Sequence, residues 1–124
     1  MSKSRLELIP EQACAAAPLT REPLAAESAA ELAAVFKALS DPVRLRLLSS
    51  IASRADQEAC VCDLSEGIDL SQPTISHHLK VLREAGLLDS ERRASWVYYR
   101  VVPDALRRLS DVLLAEIGAA EVRA

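Results

Sequence analysis

The chain has 124 residues, half of them hydrophobic and 27% charged, with 15 Lys and Arg against 18 Asp and Glu. That length suits one compact domain, and 3% aromatic content leaves an aliphatic core of Leu, Val, Ile and Ala. Wholesale disorder and collagen-like repeats are excluded, no apolar run approaches the ~18–20 residues of a membrane span, and the acidic total by itself speaks against a nucleic-acid binder.

Residues 1–23 hold Pro10, Pro18 and Pro23 with little periodicity and read as an N-terminal arm. Residues 24–120 read as the folded domain and 121–124 as a tail. Leu24 to Leu39 is Ala-rich, with Leu32, Val35, Phe36 and Leu39 at helical spacing. Ser40-Asp41-Pro42 then supplies a cap and a first-turn proline for a second helix to about Ser53, burying Val43, Leu47, Leu48 and Ile51. Residues 54–59 read as a polar connection, and a short helix is expected from about Cys62 to Gly67. Ser71 caps the next helix, which ends at Gly86, a residue suited to a left-handed C-cap. Leu87–Ser90 and Trp96–Val102 read as two strands around Glu91–Ser95. In the second strand Trp96, Tyr98 and Arg100 share one face, and Val97, Tyr99 and Val101 the other. Pro103 opens a last helix striped by Leu106, Leu109, Leu113 and Ile117.

Short helix, turn and longer helix form a helix-turn-helix unit, and the hairpin after it is a wing. The fold class is therefore mainly α with a small β-hairpin, a winged helix-turn-helix. So small a core leaves the first and last helices partly uncovered, and pairing them across a two-fold axis in a homodimer covers them.

At 100° per residue from Thr74, Ile75, Leu79 and Leu82 fall on one buried stripe. Thr74, Ser76, His77 and Lys80 take outward or flanking positions, and Gln72, after Ser71, lies in the first turn, where a reading helix contacts base edges. An ordinary solvated face accounts for these residues equally well. His78 falls beside the buried stripe, as suited to packing at the core boundary as to DNA contact. Charge favours the DNA reading: residues 71–100 carry five basic and three acidic side chains, net +2, within an acidic remainder, and both histidines lie there. Local charge is what meets phosphate. Arg92 and Arg93 are expected at the hairpin tip, against backbone phosphates. A solubilising charged loop is the plainer alternative. Trp96, Tyr98 and Tyr99 are read as sheet packing.

Three cysteines are too few for a disulfide scaffold. With no basic, then apolar, leader at the N-terminus, a reducing cytoplasm is the expected compartment. Cys60 and Cys62 form C-x-C. In mid-helix their thiols would diverge; in an extended segment, or where the connection meets the short helix, they can converge. A helix N-terminus favours the thiolate that binds soft metals. Two thiolates make two-thirds of a three-coordinate site, and Cys14 in the arm is the remaining sulfur. The plainer reading makes the cysteines small buried apolar residues. Asp63 is a possible oxygen ligand, better suited to a first-turn acid.

Cys60-Val61-Cys62-Asp63-Leu64, followed by Ser71 to Leu82 (SQPTISHHLKVL), resembles the arsenic-repressor (ArsR/SmtB) family of dimeric winged-helix metal-sensing repressors. The likeness runs from about Glu31 to Leu114 and includes Lys37–Arg46, KALSDPVRLR. It implies a metal-free dimer on double-stranded operator DNA, released when an inducer binds Cys60 and Cys62. One arsenite pattern in the family has a third cysteine where this chain has Ser65. Another recruits the N-terminal arm, a role Cys14 fits from either subunit. As(III) or Sb(III) suits three thiolates, and Cd(II) or Pb(II) also suits a sulfur-rich site. The zinc site of a further branch, on the last helix, lacks its histidine here.

The expected function is thus a non-enzymatic, cytoplasmic metalloid-responsive repressor with no membrane partner. A thiol-redox repressor of the same fold competes with it. An enzyme using the C-x-C as nucleophile is disfavoured because both histidines sit on the proposed DNA helix. A plain interaction module is what remains.

Overall fold

The computed structural model describes residues 16–117. Its elements in chain order are α1 (Ala26–Leu39), α2 (Pro42–Ala52), β1 (Glu58–Cys60), α3 (Val61–Ser65), α4 (Gln72–Glu84), β2 (Leu88–Arg93), β3 (Trp96–Val101) and α5 (Pro103–Glu116). The helix starts follow capping chemistry. The Asp41 carboxylate accepts from the Val43 and Arg44 amides at 2.8 and 3.1 Å, with Pro42 in the first turn. Ser71 Oγ accepts from the Thr74 amide at 3.3 Å. At the far end of α4, Gly86 takes φ +84°, and the Gly86 and Leu87 amides donate back to the Arg83 and Leu82 carbonyls at 3.0 Å each. This paired closure needs a left-handed residue at Gly86.

Leu47, Ile51, Ile75, Leu79, Leu82 and Leu87 are wholly buried, so α2, α4 and the start of the wing share one core. Leu64 of α3 and Ile68 of the following turn close it from the helix-turn-helix side. Val43, by contrast, is only half-buried.

Two expectations need correction. The stretch read as a polar connection ends in a strand: β1 pairs antiparallel with β3, Glu58 opposite Arg100 and Cys60 opposite Tyr98, so the hairpin is part of a three-stranded sheet of order β1-β3-β2. Three residues are too few to show alternation, and pairing with a distant strand decides their conformation. β2 also runs on to Arg93, which pairs with Trp96, leaving Ala94 and Ser95 as the turn. Arg92 and Arg93 therefore lie at the end of β2, with Arg93 directly flanking the turn. The glycine-free turn is reached with Ala94 at φ 57°. Smaller differences concern helix ends: α1 begins at Ala26 rather than Leu24, and α3 spans Val61–Ser65 rather than Cys62–Gly67.

α5 buries none of its residues: Leu113, Leu114 and Ile117 are exposed, as are Leu24 before α1 and Phe36 on it. A cleft of about 490 Å³ between α1 and α5 is lined by Leu24, Leu32, Val35, Val102, Leu109 and Val112, among others. Among the described residues no helix is long and apolar enough to cross a membrane.

Candidate nucleic-acid interface and thiol site

α4 turns its apolar stripe into the core, as the wheel requires. Gln72, Thr74, His77 and Lys80 are exposed and Ser76 is half-buried. Ser71 is exposed, but its hydroxyl is occupied: it caps the helix and donates to Thr74 Oγ1 at 2.9 Å. His78 lies half-buried at the boundary, its Nδ1 3.3 Å from Arg44 Nη1. An arginine only donates, so this contact uses Nδ1 as acceptor. The same Arg44 donates to the Ala38 and Lys37 carbonyls at the end of α1. It thereby ties α1, α2 and the reading helix together. Arg44 lies within the KALSDPVRLR string, yet no sequence signal assigned it a role.

The two wing arginines part company. Strand alternation puts Arg92 on the sheet face shared by Leu88 and Val101, the face packed on the helices. Arg92 is exposed and has no ion pair among the described residues. Arg93 lies on the outer face. It grips Glu58 through two hydrogen bonds of 2.7 and 2.9 Å, touches Glu91 at 3.0 Å, and sits 4.5 Å over the Tyr98 ring. Arg100 extends the network to Glu91 at 3.1 Å, Glu58 at 3.5 Å and Asp89 at 3.7 Å. The Arg93 hydrogen bonds hold the Glu58 and Glu91 carboxyls below the ordinary glutamate range. The carboxylates in turn raise the Arg93 pKa. Trp96, expected to pack on the sheet, is 54% exposed.

Cys60 is at once the last residue of β1 and the N-cap of α3, extended at φ −91°, ψ 168°. Cys62 follows in the first turn, and the two sulfurs converge as a disulfide with Cα atoms 5.4 Å apart. Of the two geometries that allow convergence, the structure adopts the strand-to-helix junction. The two sulfurs and an Asp63 oxygen lie within 4.8 Å of one another. The Asp63 carboxylate, however, accepts from the Cys60 amide at 3.2 Å, the role of a capping acid. Once reduced, the pair offers two sulfur donors side by side, a donor set that fits a soft ion. Cys14, the expected third donor, lies outside the described residues.

The arsR-family model of bacterial regulatory proteins matches residues 41–90, from the cap of α2 into the wing. The arsenic resistance transcriptional regulator ArsR2 of Pseudomonas putida is 49% identical over 85 residues, 68% of this chain and 72% of its own length. The chain belongs to the arsR family. ArsR1 of the same organism is 44% identical over 68% of this chain, a match spanning 65% of that relative's length. Among solved structures, the antimony-specific transcriptional repressor AntR superposes with a TM-score of 0.62 at 32% identity, covering 90% of this chain and all of that one. The fold is the winged helix-turn-helix of this family, whose matched relatives are transcriptional regulators.

Proposed function

We propose that the protein is a metalloid-responsive repressor that binds operator DNA as a dimer and is released when Cys60, Cys62 and Cys14 bind trivalent arsenic or antimony. One observation carries this reading: the C-x-C sulfurs converge on the residue that opens the helix-turn-helix, so ligation acts where the reading unit begins. The uncovered faces of α1 and α5 support a two-fold dimer built on them. Such a dimer sets its two α4 helices in successive major grooves, giving half-sites about 10 bp, or a multiple, apart. Gln72, Thr74, Ser76, His77 and Lys80 face the bases and backbone, while Arg92 takes phosphate. Ser71 serves chiefly as the cap, His78 as a boundary contact, and Arg93 holds the wing in shape.

A ~100-fold loss of operator affinity needs only ~2.7 kcal/mol of coupling between the sites. The test is an operator titration with wild type and single Cys→Ser variants, with and without arsenite, antimonite, cadmium or lead. Loss of release in Cys60→Ser, Cys62→Ser and Cys14→Ser is expected. A Cys60→Ser protein still fully released by arsenite overturns the site. The convergence of the sulfurs also favours a second reading, a thiol-redox repressor. In that chemistry the two thiols give two electrons and two protons to hydrogen peroxide, which leaves as two waters. Release by peroxide without metal, reversed by a dithiol, would select it.

A further inference from the structure

The outer face of the wing sheet carries an ion-pair network that neither capping nor the reading helix uses. β1 and β2 are not neighbours, because β3 lies between them. Glu58 of β1 nevertheless bonds Arg93 of β2 through both carboxylate oxygens, and Arg93 reaches it across the Tyr98 ring. Tyr98 is the cross-strand neighbour of Cys60. Glu58 is two residues from Cys60 on the same short strand and face, and it is the least exposed carboxylate of the network, 16% against 48% for Glu91 and 66% for Asp89. Paired charges with two parallel hydrogen bonds hold geometry as well as energy.

We infer that Glu58 is a positioning residue that couples the state of the Cys60–Cys62 pair to the wing. The inference rests on the thiol-site reading above. Cys60 closes β1, so a change in where its sulfur points is carried along a three-residue strand to Glu58. Glu58 is bonded to Arg93, the β2 residue flanking the wing turn and paired with Trp96. The helix side of the junction reaches α4 through α3, and the strand side reaches the wing through this clasp. Both DNA-facing parts then answer one site.

Trp96 is the chain's one tryptophan, so its emission and acrylamide quenching report the wing directly. The experiment compares full-length wild type, Glu58→Gln and Arg93→Gln, each reduced and then titrated with arsenite. Arsenic–thiolate absorbance reads ligation, Trp96 quenching reads the wing, and operator titration of wild type and Glu58→Gln reads release. In wild type, arsenite is expected to raise the absorbance, change the quenching and weaken operator binding about 100-fold. In Glu58→Gln the absorbance persists, the quenching change is lost, and release falls to about 10-fold or less, a loss of ~1.4 kcal/mol of coupling. Arg93→Gln loses the quenching change from the other end of the pair, and carries the comparison if Glu58→Gln fails to fold. Unaltered quenching and release in a ligating Glu58→Gln protein overturn the coupling alone. No absorbance change in wild type overturns the thiol site, and this inference with it.

Discussion

Arg92 and Arg93 are adjacent, equally charged and both on the wing, yet their surroundings differ, and the function proposed above gives them different work. Arg92 has no ion pair among the described residues and stands on the face of the sheet that packs on the helices. Arg93 is already committed to Glu58 and Glu91. Counterion release counts only cations that neutralise DNA phosphates, each contributing about 0.9 to the slope of log affinity against log salt. A dimer carries two copies of Arg92, so Arg92→Gln should flatten the slope by about 1.8. Between 50 and 200 mM salt, a fourfold change, wild type should therefore lose about twelvefold more affinity than Arg92→Gln does. Arg93→Gln should leave the slope within about 0.5 of wild type, because its charge is matched by carboxylates before DNA arrives. Operator anisotropy titrations at four salt concentrations measure both slopes. Equal flattening in the two variants would refute this division and return both arginines to the phosphates.

Three further outcomes concern the helices and the wing. Leu79→Ala empties a fully buried position of α4 and should cost ~2–5 kcal/mol in urea unfolding, with operator affinity falling as the reading helix loosens. Leu113→Glu places charge on the uncovered face of α5 and should convert the proposed dimer to a folded monomer in sedimentation, with half-site affinity only. Stability should fall on acidification. Backbone hydrogen bonds, led by that from Arg44, hold Asp41 below its ordinary 3.8, and Arg93 holds Glu91 below 4.5. The unfolded chain therefore takes up protons first as pH drops. Their contribution is complete above about pH 4.5 and is lost through the folded-state values, so urea midpoints at pH 3–7 should decline only at the acidic end.

The parts of the fold legible in the sequence are those set by local chemistry. Asp41-Pro42, Ser71 and Gly86 each announce a helix end by a cap or a left-handed requirement, and each stands where expected. The stripe of Ile75, Leu79 and Leu82 is legible because a 3.6-residue period over thirteen residues leaves one solution. β1 was not legible: Glu58-Ala59-Cys60 becomes a strand only through β3, some forty residues on, so its own pattern carries nothing. The roles of Arg93 and Arg44 were hidden for the same reason. A basic residue in a basic segment looks free until the distant partners, Glu58 for one and the α1 carbonyls for the other, are in place. The C-x-C motif was half legible. Convergence was open either to an extended segment or to the place where the connection meets the short helix, and that the connection ends there in a strand depends on β3.

That dependence bears on why a soft-ion site would be built there. A thiol pair inside a helix would diverge, and one in a free loop would bind without moving anything else. Cys60 is shared between a strand and a helix, so its backbone cannot rotate without disturbing one of them. The strand is short and clasped at one end by Glu58, and the helix is a single turn capped through the Asp63 carboxylate. Both elements are short, yet Ala59, Cys60 and Leu64 are buried, and Ala59 and Leu64 share one core with Ile75, Leu79 and Leu82 of α4. A ligand bound at this junction would act on residues packed against that core. In the function proposed above, a shift there would reach α4 through this shared packing, and ~2.7 kcal/mol of coupling would suffice for a ~100-fold release.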